Sequence, residues 1–279
     1  VINHSGYNHV PFQLSAAGVE EYRDWYNWDG EDYEFYFDWD HLPNFNYESL
    51  AVREFLHSVV LEWAAVVDGF RCDVAWGTPH GFWKEARERI KAENPEFLML
   101  DEVIPRDAQY HELEFDLHHD TRLFNDLRRI GSGRLPASHL VDVAQTPAAE
   151  GFPRHALQLR FVENHDFERY VEECGRAPLK AAAAAVLTLP GIPMIYYGQE
   201  RGVDGSWAEM TWSGGDRDLT DYHRRLVETR NEHEVLRRGE FVEVDWDTDS
   251  DRVVAYGRED DDDRVVVALN FGNEPATVR

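Results

Sequence analysis

Short apolar runs that end in polar clusters, separated by helix-length segments, constrain this chain more than any other feature. Asp68-Gly-Phe-Arg-Cys-Asp-Val-Ala75 follows Val66 and Val67 and carries Arg71 and Asp73. Phe97-Leu-Met-Leu-Asp-Glu102 ends in two acids. Residues 157–162 run into Glu163-Asn164-His165-Asp166, and residues 192–197 into Gly198-Gln199-Glu200. Continuous apolar strands alternating with helices predict a parallel sheet covered on both faces. Helical periodicity and caps place helices at about 46–65, 78–93, 121–130, 135–144, 176–189 and 219–237, with Thr78-Pro79 as cap and first-turn proline of the second. A weak strand is expected at 112–117. Beyond Phe241 the pattern changes to short strands at 242–244, 253–256, 265–269 and 276–278, set between Asp-rich turns, as in an antiparallel domain.

The fold class expected is therefore α/β: a (β/α)8 TIM barrel lacking its first strands over residues 1–239, then the start of a C-terminal antiparallel β domain over 240–279. A short excursion domain spans about residues 5–47. It is crowded with aromatics, among them Trp25, Trp28, Tyr36, Phe37 and Trp39. These rings are expected mostly to pack against one another, with one or two left to face a ligand. The chain starts abruptly at the polar strand tip Val1-Ile2-Asn3-His4 without an initiator Met, which reads as a fragment or processed form.

Side chains alternate across a strand, so Arg71 and Asp73 share one face. An arginine two residues before a carboxylate favours its ionised form, the state a carboxylate nucleophile needs. Taken alone, the pair reads equally well as a structural ion pair. However, Asn3, His4, Arg71, Asp73, Glu102, Asn164, His165 and Asp166 all fall at the C-terminal ends of expected parallel strands. In a (β/α) barrel those ends form the face that carries the active site. Paired carboxylates there point to glycoside hydrolysis, in which one carboxylic acid protonates the leaving oxygen and one carboxylate attacks or activates water. Asp101 should point away from Glu102 by alternation and so influence it little.

Charge narrows the partners. The net charge of −26 speaks against nucleic acid and against an anionic membrane, both of which require a basic face. Lys84, Lys91 and Lys180 are the only lysines among 28 basic residues. An acid-rich, lysine-poor surface suits high salt, where screening removes self-repulsion, so a halophilic source is expected. No apolar run reaches membrane-spanning length. Cellular location stays open, with a cytoplasmic setting favoured. Cys72 and Cys174 are too few for a disulfide framework or a cysteine metal site. Asp245, Asp247 and Asp249 imitate an EF-hand start, but Ser250 and Tyr256 replace its required Gly and Glu, so calcium is not expected there. His111, His118 and His119 show no metal-ligand spacing in the sequence.

At the strand tips the sequence resembles the α-amylase family of retaining glycoside hydrolases. Ile2-Asn3-His4 is similar to the end of that family's first motif, Gly69-Phe-Arg-Cys-Asp73 to its second, and Asp101-Glu102 stands at the third. Phe161-Val-Glu-Asn-His-Asp166 is similar to the fourth. Leu42-Pro-Asn-Phe-Asn46 resembles an extra motif of the excursion domain, and Gly191-Ile-Pro-Met-Ile-Tyr-Tyr-Gly-Gln-Glu200 the last barrel strand. The resemblance is nearest to the neopullulanase, cyclomaltodextrinase and α-glucosidase branch. It implies Asp73 as nucleophile, Glu102 as general acid/base and Asp166 as transition-state stabiliser. It implies substrate-binding roles for His4, Arg71, Asn164 and His165. The implied substrate is an α-glucan or maltooligosaccharide with mainly α-1,4 bonds, and no cofactor is needed. Asn3 is a candidate ligand of a structural calcium ion by analogy with some relatives. Two other readings are an inactive relative or fragment that only binds carbohydrate, which would ordinarily have lost the three carboxylates, and a transglycosylase of the same family.

Overall fold

The computed structural model describes residues 2–104, 106–210 and 212–279. Val1, the first residue of the expected strand tip, lies outside them. The chain packs as two compact units, Val1–His119 and Asp120–Arg279.

In the first unit three parallel strands lie side by side: Gly69–Cys72, Leu98–Asp101 and Leu117–His119. The helices Leu50–Ala64 and His80–Glu93 flank them. Val52, Leu56 and Val60 recur at helical spacing and are buried, as are Phe82, Trp83, Ala86 and Ile90, so each helix turns one apolar stripe inward. The first of these helices starts later than its apolar period suggested. Asn46 is taken up in an Asx turn, its side-chain oxygen accepting from the Glu48 N–H at 3.0 Å. The second begins at His80, with Pro79 and not Thr78 at the cap position. Val66 and Val67 are exposed and do not belong to the strand they precede.

The largest correction in this unit concerns residues 110–119. A weak strand was expected at 112–117. Instead Tyr110–Leu113 is a short helix, and the strand is Leu117–His119. The sequence misleads because the strand is closed by two histidines. Both are buried beside the neighbouring strand, with His118 paired in register with Asp101.

The excursion has more order than its lack of period suggested. It contains helices Val10–Ala16 and Glu20–Arg23 and two small antiparallel pairs, Trp28–Asp29 with Asp32–Tyr33 and Phe35–Tyr36 with Trp39–Pro43. Its buried rings interlock: Phe12 meets Tyr26 edge-on at 4.9 Å and stacks on Trp28 at 5.9 Å, and Tyr26 stacks on Phe45. Residues Ile2 to His4 form no strand beyond an isolated bridge from His4 to Asn44.

The second unit holds two parallel strands, Leu157–Phe161 and Ile192–Met194, paired in register. The alanine-rich helix Arg176–Thr188 is almost wholly buried, because small side chains let it approach closely on every side. Three expectations shift. The helix expected at 135–144 is His139–Ala149. The strand expected at 192–197 stops at Met194. The helix expected at 219–237 is two, Arg217–Glu232 and Glu234–Arg238, interrupted at His233 in extended conformation. Asp216 caps the first of these by accepting from the Leu219 N–H at 3.0 Å. The antiparallel sheet joins Glu240–Val242, Val253–Glu259 and Arg264–Asn270. Val278 takes part only in a bridge to Thr248.

Candidate active site

In the first unit the parallel strands deliver the chemistry to their C-terminal ends. Gly69 lies against the Leu98 backbone, and a Cβ there would meet the Leu98 carbonyl oxygen at 2.7 Å, so the two strands approach closely only because this residue is glycine. The strand ends at Cys72, and Asp73-Val74 make the turn that follows. Val74 has φ 43° and ψ 50°, a left-handed conformation that a β-branched residue rarely adopts. That geometry turns its N–H onto Glu102 Oε2 at 3.0 Å. Two main-chain bonds staple the turn to the neighbouring strand end: Glu102 N–H to Cys72 O at 3.1 Å and Ala75 N–H to Glu102 O at 3.0 Å.

Arg71 stands between the two carboxylates. Its Nη1 donates to Asp73 Oδ1, and its Nη2 lies 2.6 Å from Glu102 Oε1. Glu102 is buried, whereas Asp73 and Arg71 keep about a third of their side chains exposed. The expected Arg71–Asp73 pair is thus present, and Arg71 also grips Glu102, which the sequence did not suggest. Asp101 faces the other way. It is fully buried and bonded to His111 and His118. Burial alone would raise its carboxyl, but hydrogen bonds from the two imidazoles outweigh it and bring Asp101 to about 2.

His4 and Tyr36 lie in the same unit. Their rings lie 4.5 Å apart. Burial pushes the His4 imidazole below its usual value, against a smaller upward pull from Asp73. Burial, then the Asp73 and Glu102 carboxylates, push the Tyr36 phenol up, against a smaller downward pull from Arg71. Sequence reasoning did not single out Tyr36, because nothing marks one ring among so many. Beside it Phe37 (φ 49°), Trp39 and Trp76 form an exposed aromatic rim, with Phe37 edge-on to Trp76 at 5.8 Å. Phe37 is the second non-glycine residue with positive φ among the described residues, and its ring is 58% exposed.

In the second unit the Leu157–Phe161 strand leads into Glu163-Asn164-His165-Asp166. Asn164 is buried. Its Nδ2 donates to Asp166 Oδ2 at 3.2 Å, and its Oδ1 accepts the Asp166 N–H at 3.2 Å. His165 Nε2 lies 3.3 Å from Asp166 Oδ1, and Trp207 meets the His165 ring edge-on at 5.7 Å. Asp166 itself is exposed. The turn is anchored from beneath by Glu163, unremarked in the sequence, which pairs with Arg169 at 3.0 Å while both are buried. Tyr196 and Tyr197, just past the Ile192–Met194 strand, lie under the Arg169 guanidinium and donate to the Ser206 carbonyl.

Asn3 is 4% exposed, and neither its Oδ1 nor its Nδ2 has a hydrogen-bond partner among the described residues. Such an orphaned buried amide fits a residue that offers its oxygen to a cation. One cluster that spacing did not reveal is Asp101, His111 and His118. All three are buried, with their ligating atoms within 4.8 Å of one another.

Residues 27–250 match the family model described as the catalytic domain of alpha amylase. The alpha-amylase MalA of Haloarcula japonica is 40% identical over 284 residues, covering 100% of this chain and 43% of that protein. A cyclomaltodextrinase from a Bacillus species is 29% identical, covering 100% of this chain and 54% of that protein. The chain thus spans about half the length of these curated relatives. Among solved structures, a cyclomaltodextrinase aligns with a TM-score of 0.87 at 27% identity, covering 96% of this chain and 50% of that one. The ligand-free cyclic alpha-maltosyl-(1→6)-maltose hydrolase of Arthrobacter globiformis aligns with a TM-score of 0.87 at 24% identity, covering 97% and 66%, a likeness of fold.

Proposed function

This chain belongs to the α-amylase family, with the (β/α)-barrel fold of its catalytic domain, and we propose that it carries the catalytic centre of a retaining α-glycosidase. The substrates proposed are starch-derived glucans or maltooligosaccharides with mainly α-1,4 bonds. One observation carries the reading: a single guanidinium, that of Arg71, holds Asp73 on one terminal nitrogen and Glu102 on the other. A shared guanidinium keeps the two carboxyl groups near one another, which supports the close spacing, roughly 5 to 5.5 Å, of a retaining pair. An inverting pair needs room for a water between its carboxyls.

In the proposed reaction Asp73 attacks the anomeric carbon while Glu102 gives its proton to the departing oxygen. The glycosyl group is then bonded to Asp73. Glu102, now a carboxylate, takes a proton from water, which attacks the same carbon and releases Asp73. Two inversions leave the α configuration. Both oxygens of Glu102 are engaged in the free site, one by Arg71 and one by the Val74 N–H. One of these bonds must open when the acid delivers its proton. Asp166, His165, Asn164 and His4 are proposed to grip sugar hydroxyls, and Tyr36 to stack on the sugar at the cleaved bond. Asn3 offers one of the six to eight oxygens that a structural calcium would take. Catalysis itself needs no cofactor in this scheme.

The test follows the product anomer. Proton NMR of the full-length protein acting on maltotetraose, begun before mutarotation, should show the α-anomer first. Early β-anomer would overturn the nucleophile assignment. Starch, pullulan, cyclodextrin and maltose then rank the substrates, and maltose added as acceptor measures transfer against hydrolysis.

The charge of −26 also supports a salt-adapted protein. The Debye length falls from about 10 Å at 0.1 M salt to about 3 Å at 1 M, which removes most repulsion between surface carboxylates. The unfolding midpoint should therefore rise by several degrees between those two NaCl concentrations. A midpoint that is flat or falls would count against salt adaptation.

A further inference from the structure

We propose that Asp101, His111 and His118 form a zinc-binding site on the far side of the strand that carries Glu102. Asp101 and His118 are in-register neighbours on adjacent parallel strands, and His111 reaches them from the short helix between. His111 Nε2 lies 2.8 Å from Asp101 Oδ2, and His118 Nδ1 lies 2.9 Å from Oδ1. The two rings stand perpendicular with centroids 5.4 Å apart, so both nitrogens aim at the carboxylate from different directions. The side chains of all three are 0% exposed.

Two imidazoles and one carboxylate are a donor set for zinc, and not for calcium or magnesium, which take oxygen. Tetrahedral zinc with bonds of about 2.0–2.1 Å sets its ligand atoms about 3.3 Å apart. The two nitrogen–oxygen separations need to open by only about half an ångström or less, and the two nitrogens lie within 4.8 Å of each other. Three protein donors leave the fourth position to water, the count found in open zinc sites. On binding, each coordinating nitrogen loses its N–H. A neutral imidazole keeps its proton on the opposite ring nitrogen, and an imidazolium releases one to solvent. The ion would pin the Leu98–Asp101 and Leu117–His119 strands together immediately behind the general acid.

The test uses the full-length protein, stripped with dipicolinate and then dialysed against ZnCl2 or CoCl2. The expected results are about one zinc per chain by mass spectrometry after gel filtration, a visible cobalt spectrum of tetrahedral intensity, and a zinc-dependent rise in unfolding midpoint. His118→Gln and Asp101→Asn should weaken zinc binding about tenfold or more. The stoichiometry and cobalt spectrum of the wild-type protein do not depend on either variant folding. Zinc absent from the wild-type protein would overturn the proposal and leave a hydrogen-bonded cluster only. Zinc held equally well by folded His118→Gln would overturn it as well, by moving the ion to another of the 13 histidines.

Discussion

Replacing Glu102 by Gln in the full-length protein should lower kcat on maltooligosaccharides about 10²–10⁴-fold, the usual contribution of a general acid/base. The amide keeps the side chain's shape and one of its two acceptors, so the bond to Arg71 or to the Val74 N–H survives and the loss should fall on kcat more than on KM. An aryl α-glycoside whose leaving group needs no proton separates the roles. With Glu102→Gln the phenol should appear in a rapid burst followed by slow turnover, because the first step no longer needs the acid and the second still lacks its base. Asp73→Asn should show no burst, since no glycosyl-enzyme can form. Near-normal activity of Glu102→Gln would sink the assignment, and a burst from Asp73→Asn would reverse it.

The largest effect on stability is expected at Arg169→Met. Arg169 and Glu163 are 0% and 1% exposed, and the arginine also donates to the carbonyls of Tyr197 at 2.9 Å and Gly205 at 3.0 Å. Methionine fills much of the volume but leaves Glu163 a buried, uncompensated carboxylate. Breaking such a pair costs about 3–5 kcal/mol. At roughly 2–4 °C per kcal/mol for a unit of this size, the midpoint should fall by roughly 10 °C. Burial already pushes Glu163 above the ordinary carboxylate range, and the Arg169 hydrogen bond opposes it. Removing the arginine lets burial act alone and raises the group further. A raised acid disfavours folding while the unfolded chain is ionised, so the deficit should be full at pH 7. It should shrink as pH falls toward the ordinary glutamate value, where the unfolded chain also takes up the proton. Thermal unfolding at pH 7 and pH 5 checks this, and Arg169→Met/Glu163→Gln should recover part of the loss. A deficit under about 1 kcal/mol, or one independent of pH, would show that the pair is not the anchor of the Asn164–His165–Asp166 turn.

The residues proposed for the chemistry could be read before any coordinates because strand tips leave a legible signature. An apolar run that cannot continue past Arg71-Cys-Asp73 or Asp101-Glu102 must end there, and alternation sets which side chains share a face. The same logic sent Asp101 away from Glu102, where the structure has it. Legibility failed where one strand's end is decided by another strand. Residues 113–117 alternate like a strand, yet the paired segment is Leu117–His119, because the backbone reaches Leu98–Asp101 only from Asp116 onward among the described residues. With that boundary misplaced, His118 and Asp101 could not be seen as neighbours. Tyr36 was hidden for a different reason. Composition offers many rings, and the hairpin Phe35–Tyr36 with Trp39–Pro43 selects which one meets the His4 ring.

By itself the sequence determined the α/β class, the order of most strands and helices and the change to antiparallel strands near residue 240, and it singled out Asp73, Glu102 and Asp166 as the residues proposed for the chemistry. All of these depend on neighbours a few residues apart in the chain or on a periodic pattern. Only the tertiary structure decided that Arg71 grips both carboxylates, that Val74 adopts a left-handed turn to aim its N–H at Glu102, and that Glu163 and Arg169 support the Asp166 turn from within. It alone brought two histidines onto Asp101. Apart from the Glu163–Arg169 pair, six residues apart, these depend on distances between atoms well separated along the chain. Such distances are fixed by packing one element against another, and no local pattern encodes them.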